Sequence, residues 1–173
     1  FVRLVGIPLL HEVGERWRNG ELSISEEHLV SMQLRNLFSG LGQLRAPRKT
    51  PTVLLAAPSG ERHEFGLSIV ALLCMEAGVS VAHGGIDLPQ EEIVAAALKS
   101  GVPVVGLSVV ASENRDHAVE QIRRVEAALP PPVELWLGGG DAAAVAARLG
   151  RTRILVLDRM DSLEEEIRRL AQR

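Results

Sequence analysis

The chain has 173 residues, a formal net charge of −3 and one cysteine. That length allows one well-cored domain of ordinary size, with roughly 40 residues to spare. Lys and Arg occur in runs no longer than pairs, so the chain by itself is not expected to bind nucleic acid strongly. Cys74 has no second cysteine for an intramolecular disulfide, which favours a reducing compartment. Without an uncharged apolar stretch of ~18 residues or a signal-like start, the sequence predicts a cytoplasmic protein with no membrane partner.

Residues 1–44 have the apolar spacing of helices. The apolar residues that recur three or four apart are Val13, Trp17, Val30, Leu34, Leu37 and Leu41. Asn19-Gly20 separates two predicted helices, and Ser23 with Glu26 forms a capping-box pattern at the start of the second. Two helices cannot bury their apolar faces alone, so we expect them to pack on the rest of the chain, on helices preceding Phe1 or on another subunit.

A polar stretch follows these helices. Residues 45–51 contain Pro47 and Pro51 and are typical of a linker. The sequence therefore predicts a helical segment over 1–44, a linker over 45–51 and a second unit over 52–173.

From Thr52 onward, β-rich apolar runs alternate with helical segments. The predicted strands are Val53–Ala57, Val79–Ala82, Val102–Val110, Val133–Leu137 and Ile154–Leu157. The predicted helices cover 65–77, 90–100, 114–128, 141–149 and 162–173. This alternation predicts an α/β fold of the flavodoxin-like or Rossmann-like kind, a five-stranded parallel sheet with helices on both faces.

Three short motifs fall where predicted strands end. They are Glu61-x-His63-x-x-Gly66, then Ser108-x-Val110 after 41 residues, and Gly138-Gly139 after 27 more. Open α/β sheets bind ligands beyond these strand ends. An imidazole there can bind a metal while a nearby carboxylate accepts a hydrogen bond from its other nitrogen. Glycines admit a ligand close to the backbone. Taken alone, the first motif is equally typical of a solvated loop histidine.

Together, the order and spacing of these motifs resemble the cobalamin-binding domain of methionine synthase, corrinoid mutases and B12-dependent regulators. That family carries Asp-x-His-x-x-Gly, Ser-x-Leu and Gly-Gly, and the resemblance covers residues 52 to about 160. Two positions depart from it, since Glu61 replaces Asp and Val110 replaces Leu. Both replacements keep the chemical character of the residue.

The resemblance implies a role for each motif residue in binding cobalamin. His63 would be the lower axial ligand of cobalt, in place of the cofactor's own dimethylbenzimidazole base, with Glu61 supporting it. The nucleotide tail would enter a slot lined by Ser108 and by Gly138-Gly139. Gly66 and Val110 complete the expected cofactor-binding residues.

The helical segment carries a further pattern. Trp17 is followed after nine residues by Glu27-His28, which resembles the light-sensing B12 domains of MerR-type photoreceptor regulators. The resemblance implies a lid over the upper face of the corrin, with Trp17 against the adenosyl group of adenosylcobalamin. From the residues alone, Trp17 could equally be an interhelical core residue, and Glu27-His28 a solvated first turn.

Arg18 departs from those photoreceptors, which carry a histidine immediately after the tryptophan. That histidine ligates cobalt after illumination. A guanidinium has no free lone pair. A bis-histidine lit state is therefore not expected by this route, and His28 or His11 would have to take the place of the missing ligand.

The sequence thus predicts a cobalamin-binding, light-responsive sensor module of a bacterial transcriptional regulator, rather than an enzyme. It would self-associate, and reach DNA only through a domain outside this chain or through a partner regulator. The alternative is a corrinoid carrier for a methyltransferase system, which has no need of Trp17 or Glu27-His28. Binding of a different or additional tetrapyrrole is a third possibility.

Overall fold

The computed structural model describes residues 2–43, 50–110, 114–150 and 152–172. A π-helical turn over Val2–Gly6 leads into the first helix. The helices are α1 (Ile7–Arg18), α2 (Ile24–Gln43), α3 (Phe65–Glu76), α4 (Gln90–Ser100), α5 (Arg115–Ala128), α6 (Ala142–Leu149) and α7 (Met160–Ala171). The strands are β1 (Val53–Pro58), β2 (Val81–Leu88), β3 (Val104–Ser108), β4 (Glu134–Gly138) and β5 (Leu155–Leu157).

The five strands form one parallel sheet in the order β2-β1-β3-β4-β5. Side chains alternate across it: Leu54 and Ala56 pack in a core with α4, α5 and α6, whereas Val53 and Leu55 pack in a core with α2, α3 and α7. All six residues of β1 are buried, as expected for a strand covered on both faces. The predicted fold class is therefore confirmed, and every strand ends at the same edge of the sheet.

Helix α2 and the π-helical turn pack against α3. Leu34 and Phe38 of α2 are buried, and the Phe38 ring meets Phe65 edge-on with centroids 6.0 Å apart. The capping box is confirmed, because the Ser23 N–H donates to Glu26 (2.9 Å) and the Glu26 N–H to the Ser23 hydroxyl (3.3 Å). Residues 44–49 of the predicted boundary and linker lie outside the described residues. No helix in the described ranges is long and apolar enough to cross a membrane.

Two strands differ from their predicted ranges by more than one residue at an end. Strand β2 runs to Leu88 rather than ending at Ala82, so His83 lies inside the strand, paired with Leu55, and not at its end. Its glycines lower β propensity, but pairing with β1 continues through register shifts near Ala56. Strand β3 is shorter than predicted, because its ladder covers only Val104–Ser108.

Candidate functional site

The loop that follows β1 is organised around the Glu61 carboxylate. Glu61 is 2% exposed, and its Oε1 accepts hydrogen bonds from the His63 N–H (3.0 Å) and from the His63 ring at Nδ1. Its Oε2 accepts from the Val110 N–H at 2.6 Å. One buried side chain therefore joins the loop after β1 to the end of β3, and brings together three of the predicted site residues.

The tautomer of His63 follows from this contact. A carboxylate can only accept, so the neutral imidazole carries its proton on Nδ1 and keeps the lone pair on Nε2. The ring side chain is about half exposed (54%), and among the described residues no hydrogen bond reaches Nε2. His63 thus holds one nitrogen lone pair in a fixed orientation, which could bind a metal whose other ligands come from elsewhere.

The end of β2 holds the same loop from its other side. Asp87 accepts a hydrogen bond from the Gly60 N–H (2.7 Å), and its own N–H donates to the Glu61 carbonyl (3.0 Å). Asp87 has a φ of 54°, which is uncommon for a residue other than glycine. Sequence reasoning missed Asp87, because the predicted second strand ended five residues before it.

The other predicted strand-end residues meet between β3, β4 and α3. Ser108 is paired with Gly138 in the sheet register. A Cβ on Gly66, in the first turn of α3, would lie 3.5 Å from the Ser108 hydroxyl oxygen. Ser108 is buried. The structure therefore brings a hydroxyl and two glycines together where β3 and β4 end.

The backbone conformation at residue 139 and its close neighbours require a glycine there. Gly139 has a φ of 104°, and a Cβ there would lie 2.7 Å from the Val109 carbonyl carbon. Backbone hydrogen bonds hold the two loops this close, from the Val109 N–H to Gly138 (2.9 Å) and from the Asp141 N–H to Val109 (3.0 Å). The sequence analysis explained this glycine by the close approach of a ligand. That explanation is incomplete, because the close contact between the loops after β3 and β4 already excludes a side chain.

The predicted lid residues occupy the ends of two helices. Trp17, in the last turn of α1, is 55% exposed. The Glu27 carboxylate contacts the His28 ring at Nδ1 (2.7 Å) and accepts from the Ser31 hydroxyl (2.6 Å). Ser31 first, and then His28, hold the pKa of Glu27 below its usual range. The hydrogen bonds and ion pairs of the described residues do not join Trp17, Glu27 or His28 to the strand-end residues.

An ion pair links the lid helix to the loop that carries His63. The Arg35 guanidinium on α2 donates through Nε to Glu64 at 2.8 Å, and Glu64 directly follows His63. Sequence reasoning missed this pair, because its partners are 29 residues apart in different elements. No local pattern could have found it.

Known proteins match both parts of the chain. Family models described as B12 binding domain match residues 51–165 and residues 4–41. The HTH-type transcriptional repressor CarH of Myxococcus xanthus is 39% identical over 146 residues, which are 82% of this chain and 48% of the repressor. This chain thus spans about half the length of that relative. Dimethylamine corrinoid protein 3 of Methanosarcina mazei is 25% identical over 150 residues, 82% of this chain and 88% of that protein.

A solved structure supports the same assignment at the level of the fold. The cobalamin-binding protein from Desulfitobacterium hafniense DCB-2 matches with a TM-score of 0.59, over 92% of this chain and 77% of that chain, at 24% identity. The match to residues 51–165 covers more than half of this chain and includes the strand-end site. The chain therefore belongs to the B12-binding domain family and is a cobalamin-binding domain.

Proposed function

We propose that the chain binds cobalamin base-off, with His63 as the lower axial ligand of cobalt. The observation that carries this proposal is the buried Glu61 carboxylate, which fixes Nδ1–H of His63 and leaves Nε2 without a hydrogen bond from the residues that the structure describes. A corrin supplies four nitrogens to its metal, so one imidazole from below completes that side. Glu61 and Val110 hold the imidazole, and Ser108, Gly66, Gly138 and Gly139 surround the entry for the nucleotide tail.

The adenosyl form is the proposed cofactor, with residues 1–44 as a lid and residues 52–173 as the domain that binds it. Trp17 offers an exposed aromatic face and Glu27 an ionised acceptor for the adenosyl group. Adenosylcobalamin would supply a cobalt–carbon bond that visible light cleaves. Loss of the adenosyl group would remove its contacts with the lid and shift the lid's position. The Arg35–Glu64 pair would connect that movement to the loop of His63.

We further propose that the module serves a bacterial transcriptional regulator and is not itself an enzyme. Its 39% identity to an HTH-type repressor supports this role. DNA contact would belong to a domain outside this chain or to a partner regulator. Self-association is supported by apolar side chains that α2 leaves exposed, namely Ile24, Leu29, Met32 and Leu37.

The second candidate is a corrinoid carrier for a methyltransferase system. The observation that favours it is the match to a corrinoid protein along 88% of that protein's length. A carrier must expose its upper cobalt face to a partner enzyme, whereas Trp17 and Glu27-His28 would cover that face. The sensor therefore remains the preferred proposal.

Illumination distinguishes the two candidates. We expect the chain loaded with adenosylcobalamin in the dark to change its absorption spectrum under green light, and to change its sedimentation coefficient with it. The spectrum reports loss of the adenosyl group. The sedimentation coefficient reports the change in self-association that the lid movement would cause. A light-indifferent spectrum with a methyl group on the cobalt would establish the carrier instead. The same mass in the dark, in the light and without cofactor would contradict coupling to association.

The residue at position 18 predicts which protein side chains bind cobalt after illumination. Arg18 has no lone pair for cobalt, and its side chain pairs with Glu15. We therefore expect a lit spectrum with one protein histidine, which changes readily when cyanide or imidazole is added. Arg18→His should convert it to an inert bis-histidine spectrum, whereas Arg16→His, one residue before Trp17 on the same helix, should not. If the unmodified chain is already bis-histidine, His28→Ala and His11→Ala will identify the ligand.

A further inference from the structure

Trp136 carries a buried hydrogen-bond donor that the described part of the fold does not use. The residue is 2% exposed, and its indole Nε1 has no hydrogen-bond partner among the described residues. Buried donors in folded proteins are nearly always paired, and an unpaired one calls for an explanation. The indole belongs to the apolar core between the sheet and helices α3 and α7, so its neighbours there are mostly hydrocarbon.

The position of Trp136 places it beneath the proposed tail entry. Side chains alternate along β4, so Trp136 is on the same sheet face as Gly138, two residues further along. Its register partner in β3 is Gly106, two residues before Ser108 on that face. The layer that holds Trp136 therefore continues directly into the group of Ser108, Gly66 and Gly138 at the edge.

Base-off binding creates the matching acceptor. In free cobalamin, one ring nitrogen of the benzimidazole base coordinates cobalt. When His63 replaces it, that nitrogen has a free lone pair and enters the protein with the nucleotide tail. The slot therefore needs a donor for this lone pair. Two are at hand, namely the Ser108 hydroxyl at the entry and the Trp136 indole N–H beneath it, which has no partner among the described residues.

We propose that the Trp136 indole N–H donates a hydrogen bond to this freed benzimidazole nitrogen. The inference rests on the proposed base-off binding at His63 and adds a specificity to it. The slot selects cobamides whose lower base has a ring-nitrogen acceptor over cobamides with a phenolic base, which has none. Trp136 is thus a specificity-determining residue, while His63 remains the metal ligand.

The test compares three ligands with two proteins. The ligands are cobalamin, a cobamide with a phenolic lower base, and cobinamide, which lacks the nucleotide tail. Each is titrated spectroscopically against the unmodified chain and against Trp136→Phe, which removes the N–H but keeps an aromatic ring. Thermal unfolding of both proteins without cofactor reports any structural damage.

We expect the unmodified chain to prefer cobalamin over the phenolic cobamide, and Trp136→Phe to lose this preference. Only cobalamin affinity should fall, by roughly 5- to 100-fold, the usual effect of removing one partner of a buried hydrogen bond. The phenolic cobamide and cobinamide should bind both proteins alike.

Three results would overturn the inference. The first is equal affinity of the unmodified chain for cobalamin and the phenolic cobamide. The second is a preference that survives in Trp136→Phe, which would assign the donor to Ser108. The third is an equal loss for all three ligands, which would show that Trp136 does not act through the lower base, because cobinamide has none. If Trp136→Phe does not fold, Trp136→Leu replaces it. Failure of the proposed function looks different, because the unmodified chain would then bind cobalamin base-on or not at all.

Discussion

Replacing His63 by alanine is expected to cause the largest loss of cobalamin affinity of any single substitution in the site. The variant removes the imidazole whose Nε2 receives no hydrogen bond within the described part of the chain. The loss should exceed the roughly 10- to 100-fold that removal of a supporting partner typically causes, which we expect for Glu61→Ala. Any cofactor that still binds should have the absorption spectrum of base-on cobalamin, since its own base can return to the metal. Spectroscopic titration in the dark measures both effects.

His11→Ala is the matched control for this substitution. His11 is exposed on α1, and its loss should leave dark-state affinity and spectrum unchanged. The unfolding temperature of His63→Ala without cofactor is measured alongside, because the substitution also removes the ring's hydrogen bond to the buried Glu61 carboxylate. Tight binding of cobalamin with an unchanged spectrum in His63→Ala would reject His63 as the ligand. His83 would then be the next histidine to test.

Replacing Gly139 by alanine is expected to cause the largest loss of stability at the site. An alanine at this position would have to adopt a φ of 104°. Its Cβ would lie 2.7 Å from the Val109 carbonyl carbon. Strain at such a φ and overpacking against rigid backbone each cost about 1–3 kcal/mol. Domains have only about 5–15 kcal/mol of stability in total. Urea unfolding of the chain without cofactor should therefore show a large drop in the free energy of unfolding, or no folded protein.

Gly85→Ala separates the strain of a positive φ from overpacking against the backbone. Gly85 has a φ of 110°, close to that of Gly139, but a Cβ there has no heavy atom within 4 Å. It should therefore lose only the backbone contribution, about 1–3 kcal/mol. Equal destabilisation by the two substitutions would contradict the close approach of Gly139 to Val109. The comparison uses unfolding alone, so it does not depend on whether cobalamin binds.

The sequence by itself determined the fold class and the start of α2. Both depend on local patterns: alternating apolar runs predict a parallel α/β sheet, and Ser23 with Glu26 predicts a helix start. It also determined that Glu61, His63 and Gly66 follow the first strand, because this motif comes directly after the first apolar run in the sequence. The roles of these residues in binding cobalamin, and the division of the chain at 45–51, remain predictions.

Only the tertiary structure decided how those residues are held. The contact of Glu61 with the Val110 N–H joins atoms 49 residues apart, and Arg35–Glu64 joins two separate helical elements. The unpaired indole of Trp136 is visible only once the core around it is packed. Sequence patterns report what each residue does to its own helix or strand, whereas such contacts depend on distances that arise when separate elements pack together.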